Sequence, residues 1–392
     1  MSEETQEKSP VTEAGPFFRV EQRIGLTRQG LPGMAVRTTV AVGLSFVPLV
    51  LLAAYEGVLF GQRVALPLLS DVTVYARFLI AVPLLLHAES FIEQRLSQAV
   101  THFRTGHLLE GQARAEFEDA LHKLVRSMDA ILPEVILIVA SFAFAWFSTR
   151  AAGHTTSTWQ AITPAPEVVP TWAGTWLTFV SQPFFSFLVV RWMWRIVLWA
   201  RFLRHVSRVD LKLVPTHPDG AGGLGFLGII HTSFAAFLVP IAASVAARGV
   251  QWVQIGGGTL GPLRNALIVF TVMALIVPLG PLLAFVPRLL ATRRNGLMEY
   301  AKLATDYTRR FHQKWLRGGA GADEPLLGTS DIQSLADLAN SYEVIKRMSV
   351  VPVTRGNLVA MAMGIVLPML PFMLVIIPIG DMLKLVVKLI AK

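Results

Sequence analysis

Five ionisable side chains stand inside long apolar stretches of this chain: Arg77, Glu134, Arg191, Arg195 and His231. Charge at bilayer depth is costly and is retained mainly where it selects, gates or relays ions. Arg191 and Arg195 are four residues apart and share a helical face. Glu134 enters its apolar run from the same side and to a similar depth, which makes it the natural partner of either arginine. Arg77 lies a comparable depth from the other side. His231, one turn into the next run, adds a group that titrates near neutral pH. Two uses stay open for this set. The charges select or gate an ion, or they form an interhelical ion pair with an arginine snorkelling among Trp192, Trp194 and Trp199. A helical histidine in such a run is more often simply hydrogen-bonded, and His231 reads that way first.

A second group is contiguous: His217, Pro218, Asp219, Gly220, Ala221, Gly222, Gly223, Leu224 and Gly225. Glycines allow positive φ and close backbone approach, so the amides of Gly220, Gly222, Gly223 and Gly225 suit an anion-binding nest ahead of a helix. His217 and Asp219 are an acid–base pair, or two metal ligands lacking evident companions. No Lys-Ser/Thr ending makes it a P-loop, and no strand precedes it as in a dinucleotide fingerprint. The structural alternative is a turn in which Pro218 stiffens the chain and Asp219 caps the next helix. The stretch resembles an HPDxAGGLGFL string carried by uncharacterised bacterial inner-membrane proteins. The resemblance covers about a dozen residues and implies no activity.

The elements that must position these residues are seven apolar runs beginning near Val36, Thr73, Met128, Trp172, Phe226, Asn265 and Asn357. About 20 apolar residues cross a bilayer at 1.5 Å per residue. Each run carries a proline: Pro48, Pro83, Pro133, Pro183, Pro240, Pro278 and Pro368. Proline frees a carbonyl that lipid cannot satisfy, so such helices pack against one another or line a cavity. A hydrophobic content of 53%, a charged content of 16% and a mean hydropathy of +0.53 leave no room for a soluble globular reading. The fold class expected is an all-α polytopic membrane protein with about seven proline-kinked transmembrane helices.

The chain has no cysteine, which removes disulfides, thiolate nucleophiles and zinc–thiolate sites. No serine–histidine–acid set or H-E-x-x-H string is present. Glu118, Asp119 and His122 resemble half of a carboxylate–histidine metal motif, but without a second half they read as a solvated face. No metal and no cofactor are therefore expected, and no catalytic residue is assigned. The net charge of +9 is not spread as a nucleic-acid binder would spread it. Basic residues concentrate before the first run and after the second, fourth and sixth. This asymmetry predicts a multi-pass inner (cytoplasmic) membrane protein with its N-terminus in the cytoplasm. Anionic headgroups are the partners expected for these cations.

The organisation expected is as follows: 1–33, a disordered cytoplasmic tail without a cleavable signal; 34–149, a first membrane repeat with a cytoplasmic helical hairpin over 89–127; 150–225, an outer loop, the fourth span and the glycine-rich loop. A second membrane repeat then occupies 226–380 with a hairpin over 289–350, and 381–392 forms an interfacial amphipathic helix carrying Lys384, Lys388 and Lys392. The repeat rests on Val47-Pro48 and Val239-Pro240, each followed at equal distances by alanine and glycine, and on Val82-Pro83-Leu84 with Val277-Pro278-Leu279. It would be a parallel three-plus-three arrangement joined by the fourth span, with the path at the interface of the halves.

The function expected first is a channel or transporter for a small ion, an anion preferred because a cationic mouth concentrates anions. A homo-oligomer is expected. The alternatives are a non-transporting scaffold or sensor subunit whose amphipathic hairpins bind a cytoplasmic partner, and a lipid-headgroup enzyme using His217 and Asp219.

Overall fold

A computed structural model describes residues 15–25, 31–61, 63–151, 157–162, 169–254, 257–321 and 330–374. Among them are seven helices long and apolar enough to span a membrane. In chain order the helices are α1 (Pro16–Arg23), α2 (Leu31–Tyr55), α3 (Val72–Thr105), α4 (Gln112–Met128), α5 (Ile131–Ala151), α6 (Trp172–Val206), α7 (Gly225–Gln254), α8 (Leu260–Leu316), α9 (Ser330–Arg347) and α10 (Arg355–Leu374). The chain is thus an all-α polytopic membrane protein. Its small amount of sheet pairs Ala161–Ile162 (β1) with Val169–Pro170 (β2).

Three spans form the interior. The apolar windows of α3, α6 and α7 are 56%, 61% and 61% buried, whereas those of α2, α5, α8 and α10 are buried by about a fifth. α5 lies along α6, α7 along α3, and α10 along α7. The outer four helices expose large apolar side chains such as Leu51, Leu132, Val139, Phe147 and Val269, a belt suited to lipid rather than water.

Prolines act here through local changes of helical geometry. A widened π turn covers Tyr75–Ala81 ahead of Pro83, and another covers Leu177–Ser181 ahead of Pro183. A proline supplies no N–H, and the extra residue of a π turn redistributes the carbonyls that would have met it. In α8 the segment Gly280–Phe285, which contains Pro281, tightens into a 3-10 helix and packs on α6.

At one end of the bundle, Ala65 N–H donates to Ser157 O at 3.0 Å and Trp159 N–H to Leu66 O at 2.9 Å. Thr171 caps α6 by accepting from Gly174 N–H at 2.9 Å, and its hydroxyl donates to Trp159 O at 2.6 Å. Gly174 is required there, since a Cβ would stand 2.0 Å from Gln160 O. At the other, basic end, α4 is held by an aromatic chain in which Phe117 meets Phe103 of α3 and Phe202 of α6 at 5.4 and 5.5 Å. There α9 packs along the extended C-terminal part of α8, where Asp331 accepts from Lys314 Nζ and Trp315 Nε1 at 2.9 and 3.0 Å.

Part of the expected disordered tail departs from that expectation. Pro16–Arg23 is a helix, and Glu21 within it is buried against Arg37. The polar N-terminal sequence folds because its charges meet partners contributed by distant helices. The expected amphipathic helix over 381–392 lies outside the described residues.

Candidate functional site

α3 and α6 start from the same end of the bundle and run in the same direction, so residues a fixed separation apart stay level. Arg191 is 102 residues beyond Glu89, and Arg195 is 102 beyond Glu93. Arg191 Nη1 donates to Glu89 Oε1 at 2.5 Å, and Arg195 Nη1 lies 3.3 Å from the same oxygen while also donating to Glu93. Arg37 of α2 donates to the other oxygen of Glu89 at 2.5 Å and, through Nε, to Glu21 of α1 at 2.7 Å. Glu134 of α5 completes the cluster, with Oε1 3.5 Å from Arg191 Nε. Four carboxylates thus face three guanidiniums, and the side chains of Arg37, Glu89, Arg191 and Arg195 are all less than a tenth exposed. Burial at this depth is tolerable only because every charge is paired.

α1 closes the cluster from the basic end. Phe17 N–H donates to both oxygens of Glu134 at 3.1 and 3.0 Å, and its ring lies 5.0 Å from the Arg191 guanidinium carbon. Gly15 N–H donates to Asp129 Oδ1 at 2.8 Å, and Arg19 Nη2 donates to Asp129 O at 3.0 Å. Burial raises the Glu21 carboxyl above its ordinary value, and the neighbouring Arg37 only partly offsets it. Beneath α1 a cavity of about 20 Å³, room for one water, is lined by Gly15, Pro133, Glu134, Arg191, Trp194 and Arg195. Arg191 Nη2 is buried without a hydrogen-bond partner among the described residues and lies 3.4 Å from where a Cβ on Gly15 would be.

A second polar layer sits at the opposite end of α3. Asp71, 1% exposed, caps the helix by accepting from Thr73 N–H at 3.0 Å and Thr73 Oγ1 at 2.6 Å. Its other oxygen accepts from Trp159 Nε1 at 2.9 Å and Gln251 Nε2 at 3.1 Å. Arg77 donates to Gln182 Oε1 at 3.0 Å, and Gln182 in turn donates to Ser186 Oγ at 3.3 Å. Between this layer and the Glu89 cluster, Ala81, Val82, Leu85, Phe187 and Leu188 are buried. The Arg77 layer reaches Ser186, and the five residues from there to Arg191 correspond to about 7 Å of helix. The packing there is apolar, so the two layers are separated.

The sequence-predicted residues therefore fall into three groups. Arg191, Arg195 and Glu134 come together, and Arg77 belongs to the opposite layer. His231 belongs to neither. It is fully buried, with Nδ1 2.7 Å from Leu227 O and Nε2 accepting from Trp199 Nε1 at 3.3 Å. Both ring nitrogens are occupied, the arrangement of a neutral imidazole packed between Trp199 and Phe234. Of its two readings, the hydrogen-bonded helical histidine fits this geometry, and the one that joins it to the charged cluster does not.

The glycine-rich loop has the geometry of its structural alternative, a turn built on Asp219. Its nest holds an anion from within the chain: Asp219 Oδ1 accepts from Ala221 and Gly223 N–H at 2.8 and 3.1 Å, and Oδ2 accepts from Gly225 N–H at 2.7 Å. His217 Nδ1 lies 2.8 Å from Asp219 Oδ1. Burial would raise this carboxyl, but the three amides and His217 together hold it below the ordinary range. Gly220, Gly222 and Gly223 have φ of 63, 66 and 99°. The loop joins neighbouring segments: Ser349 N–H donates to Gly220 O at 2.7 Å and Val214 N–H to Gly222 O at 3.2 Å. Its amides serve the fold. Glu118 is likewise engaged, accepting from Arg104 Nε and Nη2 at 2.8 and 2.7 Å. Among the described residues no group of three His, Asp or Glu side chains is placed to hold a metal ion.

No protein-family model matches the chain, and no curated protein matches it. Glu21, Arg37, Glu89, Glu93 and Asp71 are the site residues that sequence reasoning missed. One signal was available for two of them: Glu89 and Glu93 repeat the four-residue spacing of Arg191 and Arg195 at a constant separation, as level helices require.

Proposed function

We propose that this chain forms a pathway through the membrane for a small ion, with α1 covering its entrance and the Glu89–Arg191 cluster acting as its gate. The observation that carries the reading is the cluster itself. Six buried charges and the partly buried Glu93, from five helices including α1 itself, converge at a short helix that touches them largely through polar contacts. Such groups at membrane depth are functional by default. The apolar stretch between the cluster and Arg77 makes this a closed arrangement.

An anion remains the preferred cargo, for a different reason than a cationic mouth. Arg191 and Arg195 are neutralised by Glu89, Glu93 and Glu134, so the mouth carries no excess positive charge. The opening for an anion is Arg191 Nη2, a buried donor without a partner among the described residues. The positive-inside rule supports placing α1 and α4 on the cytoplasmic side of the inner membrane. We also propose the parallel repeat of 34–149 and 226–380, each with a kinked core and a cytoplasmic hairpin, and a homo-oligomeric assembly. In such a repeat the halves would be packed unequally, since α2 faces outward while its counterpart α7 is interior.

The test is ion flux into liposomes carrying the purified chain. Deletion of residues 1–25 is expected to raise anion flux at least tenfold, and Arg191→Ala combined with that deletion to remove the increase. No flux from either the full chain or the deletion would reject the reading.

A second reading is a scaffold subunit. It is favoured by Met298, Leu303 and Leu316 on the extended part of α8, which are 60, 53 and 67% exposed and suit a protein partner. The enzyme reading finds its acid–base pair committed to the loop, with Asp219 bound by three amides.

A further inference from the structure

The face of α6 turned away from the charged cluster forms, with the 280–288 part of α8, a groove of about 980 Å³. Two helical stripes build it. Met193, Val197, Ala200 and Arg204 recur at helical spacing on α6, with Arg208 in the turn just past its end, and Val277, Pro281, Ala284 and Arg288 do so on α8. Each stripe is apolar for most of its length and ends in arginine at the basic end of the bundle. From Met193 to Arg204 is about 16 Å along α6, roughly the depth of one leaflet, and Arg208 follows in the turn beyond it. Arg204 and Arg208 are exposed; Arg288 is held in place by donating to Arg208 O at 2.9 Å.

We propose that this groove binds one anionic phospholipid, its phosphate between Arg204, Arg208 and Arg288 and an acyl chain along Val197, Ala200 and Ala284. Charge complementarity selects this occupant over a zwitterionic lipid: three guanidiniums gather at headgroup level, with Asp210, 3.6 Å from Arg288, the acidic group paired there. Guanidinium forks suit phosphate oxygens. The concave shape distinguishes the site from the convex apolar belt, which any lipid covers. The proposal does not depend on ion conduction, because none of these residues belongs to the cluster under α1.

Native mass spectrometry of the full chain, released from bilayers of mixed phosphatidylglycerol and phosphatidylcholine, tests it. One phosphatidylglycerol is expected to stay bound in preference to phosphatidylcholine. Arg204→Ala with Arg208→Ala should lower its retention at least tenfold, since each surface arginine contributes roughly fivefold to anionic lipid binding. Val197→Trp, at an exposed position, fills the apolar floor without altering charge and should give a similar loss with helicity and elution unchanged. Equal retention of the two lipids, or wild-type retention by Val197→Trp, overturns the proposal. So does competition by inorganic phosphate as effective as that by phosphatidylglycerol, which would make the site one for a free anion. A lipid-free dimer that Val197→Trp converts to monomer would show that a second copy covers the groove.

Discussion

Glu89 and Arg191 meet through Oε1 and Nη1 at 2.5 Å, deep between α3 and α6, with both side chains about 5% exposed. The pair joins two of the three interior helices and leaves Glu89 free to hold Arg37 with its second oxygen. Removing one member of such a buried pair strands the other charge. Glu89→Gln is expected to destabilise the protein by about 3–5 kcal/mol. The double variant Glu89→Gln with Arg191→Gln should cost clearly less than the two single changes added together. Thermal unfolding in detergent measures all three.

Docking of α1 should depend on pH through Glu21. Its docked pKa is raised above the ordinary 4.5, so docking is strongest below that value and weakens as pH rises through the docked value. The groups facing Glu21 are Arg37, Glu89 and Arg191. The cysteine-free chain permits spin labels at Val20→Cys and Arg126→Cys without background. Electron-resonance distances should broaden between pH 4.5 and neutrality. Glu21→Gln should flatten the change.

Asp219 has the opposite sign. Its carboxyl is held below the ordinary 3.8, so its contribution to stability is in place above that value and is lost as pH falls through the folded value. Asp219→Ala removes the acceptor of three amides and is expected to cost about 2 kcal/mol at pH 7. The difference in thermal midpoint between wild type and variant should shrink as the buffer is taken below pH 4. A constant difference would mean the loop holds without that charge.

At the opposite end, Gly174→Ala places a methyl against the backbone of Gln160, at 2.0 Å from its oxygen. The first turn of α6 or the 157–162 segment must move. A cost of about 1–3 kcal/mol is expected, read as a lower unfolding temperature with helicity retained.

Some of this molecule was legible before any fold was known. A bilayer demands an uninterrupted length of apolar helix, so the seven spans follow from composition along the chain. Arg191, Arg195 and Glu134 stood out because charge is rare in such runs. Glu89 and Glu93 did not, since they sit where the second apolar run gives way to a polar helix and read as its solvated continuation. Only the level packing of α3 against α6 turns them inward. Asp219 reads as a helix cap and fills a nest of its own making, while Asp71, which nothing in its local sequence marks, is bound by Trp159 and by Gln251 of α7. α1 is the sharpest case. Its sequence is polar and short, and isolated helices of that length are marginal in water. Its order comes from Asp129, Glu134 and Arg37, contributed by segments that only the fold brings together. Hydrophobic length is a property of consecutive residues, and the sequence by itself determined it. Charge pairing joins residues 16 positions apart, as in Glu21 and Arg37, and 102 apart, as in Glu89 and Arg191, and only the tertiary structure decided which of them meet.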